Sequence, residues 1–228
     1  MNQPILLHVC SAYAQCSLAL TKGKQLLFYR ESYSDQSHHQ ILPTLMEEAL
    51  TDFKDELGAV HLLSGPGSYT GLRIGYSLAL GLAKGLGIKL IESDAGEVLS
   101  EAFYEKETDF KHLLVAIDAR REEIYGSFYN ISKKVCISEM KPIILDADLE
   151  VFPEDIQRNH LAVIGNGAFK LTKYLDHPKY VYTKELNALD LCKTGLKKYD
   201  RQMFTDLNSA KPLYLKPPRI IQSKKKIL

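Results

Sequence analysis

One stretch, Ser64-Gly65-Pro66-Gly67-Ser68-Tyr69-Thr70-Gly71-Leu72-Arg73-Ile74-Gly75, constrains what this chain can fold into more than any other. Ahead of it, Ala59-Val60-His61-Leu62-Leu63 is a short apolar run that reads as a buried strand. Behind it, Leu72 to Leu86 is rich in Leu, Ala and Gly and long enough for a helix. The stretch is therefore a glycine-rich turn joining a strand to a helix. Such a turn exposes backbone N–H groups at a helix N-terminus, where several donors lack intrahelical partners and the dipole favours negative charge. Gly65 and Gly67 permit a positive φ and the close approach of a backbone or a phosphate, and Pro66 stiffens the segment between them. Ser68 and Thr70 are both candidate N-caps. Arg73 places a cation in the first helical turn, the wrong sign for the dipole, so it calls for a carboxylate partner or an anionic ligand.

Two phosphate and nucleophile motifs are excluded. No Lys-Ser or Lys-Thr pair follows the glycines, so this is not a triphosphate-cradling loop. No Gly-x-Ser-x-Gly is centred on Ser68, which removes a nucleophile elbow. Gly65-x-Gly67-x-x-Thr70, with Glu92 closing the next strand, comes close to the dinucleotide fingerprint, and a tight turn with no ligand stays open beside it.

The 228 residues suffice for one large domain or two small ones, and 45% hydrophobic with 25% charged residues suits a globular chain. No apolar run reaches membrane-spanning length, and the start lacks a charged-then-apolar leader pattern, so a cytoplasmic protein with no membrane contact is expected. Cys10, Cys16, Cys136 and Cys192 are scattered, which suits reduced thiols, although Cys10 and Cys16 can face each other across a hairpin. The net charge of +1 is unevenly placed: residues 211–228 hold six basic residues and no acid, so the rest of the chain is acidic on balance. Only this tail offers a basic face for nucleic acid, and a run such as Lys224-Lys225-Lys226 is more often a solvated end.

In chain order, Pro4 to Val9, Gln15 to Leu20 and Gln25 to Arg30 read as a three-strand meander turned by Lys22-Gly23-Lys24. Ser37-x-x-Gln40 resembles a capping box before a helix whose stripe runs through Ile41, Leu45, Ala49 and Phe53 with Leu42 and Met46 beside it. Pro43 in its second turn predicts a kink or a later start. After the glycine turn and its helix, Ile88 to Ile91 is a strand, and Asp94 caps a helix to about Tyr104. The second half repeats the order: strands at His112–Ile117, Glu123–Tyr129 and Val135–Ile144, an acidic helix at Leu149–Gln157, and a strand at Leu161–Ile164. A second glycine turn, Gly165-Asn166-Gly167-Ala168, then enters a helix, and Leu186–Lys198 is another. A β-β-β-α-β-α unit used twice predicts two mixed sheets flanked by helices, with a cleft between the lobes and both glycine turns leaving the carboxyl ends of strands. Within the first glycine-led helix, Gly71 and Gly75, then Gly81 and Gly85, are spaced by four, with Ala79 and Ala83 between them. Each helical glycine costs about 1 kcal/mol against alanine, so the helix gains close backbone approach, either to its own sheet or to another chain.

Together these motifs resemble the TsaB (YeaZ) family, accessory proteins for the threonylcarbamoyl modification of tRNA adenosine. Gly65 to Gly75 is similar to the family signature. Cys16-Ser17-Leu18-Ala19-Leu20 resembles its second strand, Ile41-Leu42-Pro43 its first helix, and Ile117-Asp118-Ala119-Arg120-Arg121-x-Glu123-x-Tyr125 the opening of its second lobe. Gly165-Asn166-Gly167-Ala168 and Pro212-Leu213-Tyr214-Leu215 complete the set. The resemblance implies an actin-like ATPase (ASKHA, RNase H-like) fold of two β-β-β-α-β-α lobes, with a first lobe at 1–105, a second at 106–210 and a basic tail at 211–228. It implies no catalytic site and no cofactor in this chain. TsaD would be its heterodimer partner and carry the metal and the transfer chemistry, TsaE would complete the complex, and ATP or ADP would sit at the partner interface. A homodimer when alone and tRNA contact mainly through the complex complete the expected partners. The partner-facing surface is expected at Gly71, Gly75, Ala79, Gly81 and Gly85. A nucleotide or interlobe site is expected at Gly65, Gly67, Ser68, Thr70, Arg73, Asp118 and Arg120, with Asp118 and Arg120 pairing to Arg73 and Glu123. Two departures stand out: Cys10-Ser11-Ala12 replaces the family's Asp-Thr-Ser-like turn, and Ser37 stands where a His is usual, with His38 and His39 after it as helix-start residues. Without that aspartate, independent ATP hydrolysis is disfavoured, although an independent nucleotide-binding enzyme remains the competing reading.

Overall fold

The computed structural model describes residues 3–33, 38–106, 108–145, 160–174 and 180–216. The expected helix at Leu149–Gln157, the cap at Ser37 and the tail residues Arg219 and Lys224 to Lys226 lie outside them.

The first meander is β1 (Ile5–Cys10), β2 (Cys16–Lys22) and β3 (Gln25–Ser32); α1 (His38–Leu50) follows, then β4 (Leu57–Gly65), α2 (Tyr69–Leu86), β5 (Lys89–Asp94) and α3 (Ala95–Phe103). The second half gives β6 (His112–Asp118), β7 (Glu123–Asn130), β8 (Val135–Ile144), β9 (Leu161–Ile164), β10 (Tyr180–Tyr182) and α4 (Ala188–Asp200). One sheet has the order β3-β2-β1-β4-β5 and the other β10-β9-β6-β7-β8. Matched strand by strand, these are the same sheet built twice. β1 is antiparallel to β2 and parallel to β4, and β6 is antiparallel to β7 and parallel to β9.

β1 is buried on both faces, as a central strand covered on two sides requires. Ile5, Leu7 and Val9 face the cluster under α1 and α2, and Cys10 faces the core shared between the sheets. That shared core joins Leu63, Val98, Leu99 and Phe103 to Leu113, Val115, Ile117 and Ile164, so packed side chains fill the space between the lobes around α3 and α4. Cys16 belongs to the cluster under α1 and α2, on the face opposite Cys10, and both thiols are free. The hairpin pairing open in the sequence is thereby removed, because their side chains point to opposite sides of the sheet.

Three expectations change. Pro43 sits inside α1 (His38–Leu50), which removes the later start that the proline also allowed. The second glycine turn leads into a 3-10 helix, Ala168–Lys173, instead of an α-helix. Residues 188–210, expected with the second lobe, return to the first: α4 packs on β1, β2, β4 and β5, and Thr205 N–H donates to Leu90 O at 2.8 Å. The order of elements repeats along the chain, but helix packing does not follow that boundary.

Candidate functional site

The glycine turn is a socket for the chain's own β1–β2 turn. Ser68 N–H donates to Ala12 O at 2.6 Å, and a Cβ placed on Gly67 would collide with Ala12. Ser11 Oγ donates to Gly71 O at 2.9 Å, and a Cβ on Gly71 or Gly75 would run into Ser11. Gly65 has φ +124°, a conformation open to glycine, and lies against the Leu213 backbone. Ser68 caps α2, its Oγ accepting from Gly71 N–H at 3.3 Å. Thr70, the other candidate cap, is already inside the helix, because α2 starts at Tyr69. Two of the donors that an anion could use at this terminus, those of Ser68 and Gly71, are thus taken by protein atoms. The second glycine turn repeats the device. Gly167 N–H donates to Ala116 O at 2.9 Å, and Asn166 Oδ1 accepts from Asp118 N–H at 2.9 Å.

Arg73 finds no carboxylate among the described residues. It lies 4.1 Å over the Tyr69 ring, donates to the Tyr69 hydroxyl, and donates through Nε to Tyr214 Oη at 3.1 Å, while the two tyrosine rings stack at 4.8 Å. The expected pairing with Asp118 is corrected. Asp118 takes Lys170, a nearly buried ammonium that also donates to the carbonyls of Arg121 and Glu123. Asp118 Oδ1 also accepts from Arg120 N–H at 2.7 Å, and Arg120 and Arg121 hold φ of 66° and 51° with exposed side chains. Glu123 pairs with Lys216, not with Arg120. The expected nucleotide or interlobe group therefore falls into two clusters, one around Ser11, Ala12 and Tyr214, the other around Asn166 and Lys170.

At the turn where the resemblance leads one to expect an aspartate, Cys10 is fully buried and its Sγ–H donates to Leu186 O at 3.3 Å. Burial pushes this thiol far above its ordinary pKa. His38 does begin α1, and among the described residues no group of three or more His, Cys, Asp or Glu converges on a point.

The glycine-spaced helix divides into two faces. Gly71, Gly75, Ala79 and Ala83 are buried against the first lobe. Gly81 and Gly85 are exposed, with open space where a Cβ would go, and Ser77 and Lys84 on the same helix are exposed as well. The single expected interface is corrected accordingly: a step of four keeps residues on one face, but the six residues from Gly75 to Gly81 turn the helix by about 240°.

Two features went unread in the sequence. Residues 205–216 form a strap across both sheets: Leu213 N–H donates to Ser64 O at 2.8 Å, Tyr214 joins Tyr69 and Arg73, and Lys216 reaches Glu123 and Tyr125. Pro212-Leu213-Tyr214-Leu215 was its signal. Beneath the strap, at the carboxyl ends of β4 and β5, a cleft of about 550 Å³ is lined by Ser64, Glu92, Asp94, Glu97 and Lys211. Glu92, the acid of the dinucleotide reading, accepts a hydrogen bond from Tyr76 Oη at 2.5 Å.

Two meanders, each continued by parallel strands in the same order and facing each other across a common core, define an actin-like ATPase fold of the RNase H-like class. The family model for TsaD, tRNA N6-adenosine threonylcarbamoyltransferase, matches residues 32–175. The TsaB "tRNA threonylcarbamoyladenosine biosynthesis protein" of Buchnera aphidicola from Acyrthosiphon pisum is 30% identical over 146 residues, 62% of this chain and 65% of that protein. Its Escherichia coli K12 namesake is 31% identical over 127 residues, 54% of each chain. YeaZ from Pseudomonas aeruginosa superposes with a TM-score of 0.74 at 21% identity, covering 93% of this chain and 100% of its own, which shows the common fold. The chain belongs to the family that the matched model describes and falls with its TsaB (YeaZ) members. It spans 54–65% of the length of these two curated relatives.

Proposed function

We propose that this chain is a non-catalytic subunit that binds and supports TsaD in threonylcarbamoylation of the adenosine next to the anticodon, in tRNAs that read codons starting with A. TsaE is the third component, ATP or ADP sits at the partner interface, and tRNA is met mainly through the complex. The setting is the cytoplasm, and a homodimer forms when the partner is absent. The observation that carries the reading is the β1–β2 turn. Where this fold holds a hydrated cation beside phosphate, the chain has a buried, neutral Cys10, and the facing glycine turn is closed onto Ser11 and Ala12 by its own hydrogen bonds. The docking surface is the outer face of α2, at Ser77, Gly81, Lys84 and Gly85, where small residues let another helix approach closely. The test is co-purification with TsaD from the same source, in the presence and absence of ATP. A stable heterodimer is expected, and no complex under either condition would sink the proposal.

A further inference from the structure

His8 and His61 are paired residues of the parallel strands β1 and β4, and both are 0% exposed. Their Nδ1 atoms lie 3.2 Å apart. His8 Nε2 reaches Thr21 Oγ1 on β2 at 2.9 Å, and His61 Nε2 reaches Ser93 Oγ on β5 at 3.0 Å. Four side chains thus form one hydrogen-bonded row across four strands. α4 lies directly on it: a Cβ on Gly195 would collide with His61 Nδ1 and stand 2.8 Å from His8 Cε1, and His61 also bonds to the Leu191 backbone. Gly195 is the residue that lets α4 sit on two imidazoles.

We propose that the Thr21–His8–His61–Ser93 row is an acid-sensitive pin holding α4 on the first sheet, and that protonation of the two rings releases the helix. The facing Nδ1 atoms can share one proton and no more. A first extra proton leaves a charge in the core with no carboxylate among its hydrogen-bond partners; a second sets N–H against N–H. The charged group on α4 that faces His61 is Lys198, of the same sign, held by Glu97 and the Glu92 carbonyl. Burial drives His8 down to about 3 and, with His8 and Lys198 adding to it, holds His61 well below its ordinary value. The docked state therefore binds neither proton, while undocked rings in water titrate near 6.5. Docking is strongest above that value and weakens as pH falls through it. Neighbouring acids respond elsewhere or are common to both proteins compared below. Burial alone would raise Glu101, but Lys197 and Lys193 outweigh it and hold it low, and Asp94, raised by burial and by Glu97, is unchanged by substitution at His8.

The experiment is amide exchange across residues 188–200 of the full chain, corrected for intrinsic rates, at pH 7.5 and 5.0. The opening constant of α4 should rise about 1,000-fold in the wild type and about 30-fold in H8Q, which keeps a polar reach to Thr21 without a titrating ring. Imidazole NMR of the wild type is read in parallel, so the proposal stays testable if H8Q fails to fold. Both rings should remain neutral at pH 6 in the folded protein. A rise below tenfold in the wild type, equal rises in the two proteins, or a charged His8 or His61 at pH 6 would overturn the proposal.

Discussion

The two faces of α2 use the same residue types for different ends. On the inner face Gly71 and Gly75 lie against Ser11 so closely that no side chain fits, and Ala79 and Ala83 are completely buried. On the outer face Gly81 and Gly85 meet nothing. Glycine in a helix interior costs about 1 kcal/mol against alanine. The inner pair recovers that cost within the monomer, because the helix closes onto the β1–β2 turn. Nothing among the described residues offsets it at the outer pair, and a partner surface there would. Small residues at helical spacing therefore have two meanings, decided by what stands opposite.

Substitutions break the comparison in a definite order. Gly75→Arg forces a long charged side chain into Ser11 Oγ and the Val9 side chain, and should cost more than about 4 kcal/mol, read as loss of cooperative unfolding or of soluble protein. Gly81→Arg should leave the monomer's melting temperature nearly unchanged and weaken TsaD binding by about 100-fold, roughly 3 kcal/mol, measured by calorimetry. Gly85→Ala has the smallest effect. It should stabilise the monomer by about 0.5–1 kcal/mol in denaturant unfolding, since the methyl enters open space and the helix gains propensity. A destabilised Gly81→Arg monomer with unchanged binding would reverse the assignment of the two faces.

Much of the fold was legible. Val135–Ile144 and Leu161–Ile164 coincide with β8 and β9, the capping residue Asp94 starts α3, and the doubled element order becomes two sheets of identical strand order. Apolar runs bounded by turn residues carry that information locally. The TsaB (YeaZ) resemblance is borne out for the same reason, since its signature is a run of adjacent residues. What stayed hidden depends on distant contacts. β10 is three residues long, too short for a periodic signal. Nothing near Asp118 announces Lys170, 52 residues on, as its partner in place of Arg73. The return of α4 and the strap to the first sheet, and the two histidines that α4 covers, emerge only when the chain is closed in space. Residues 211–216, read as the start of a loose basic tail, are held in the strap by Leu213, Tyr214 and Lys216.

The account's central claim is that this chain shapes a docking surface and leaves the chemistry to its partner. The most direct measurement is reconstituted modification of unmodified tRNA with TsaD, TsaE, ATP, threonine-derived adenylate and this chain, each omitted in turn. The account predicts that removing this chain abolishes threonylcarbamoyladenosine, and that the chain alone neither hydrolyses ATP nor modifies tRNA. Turnover by the isolated chain, or full modification without it, would contradict the claim.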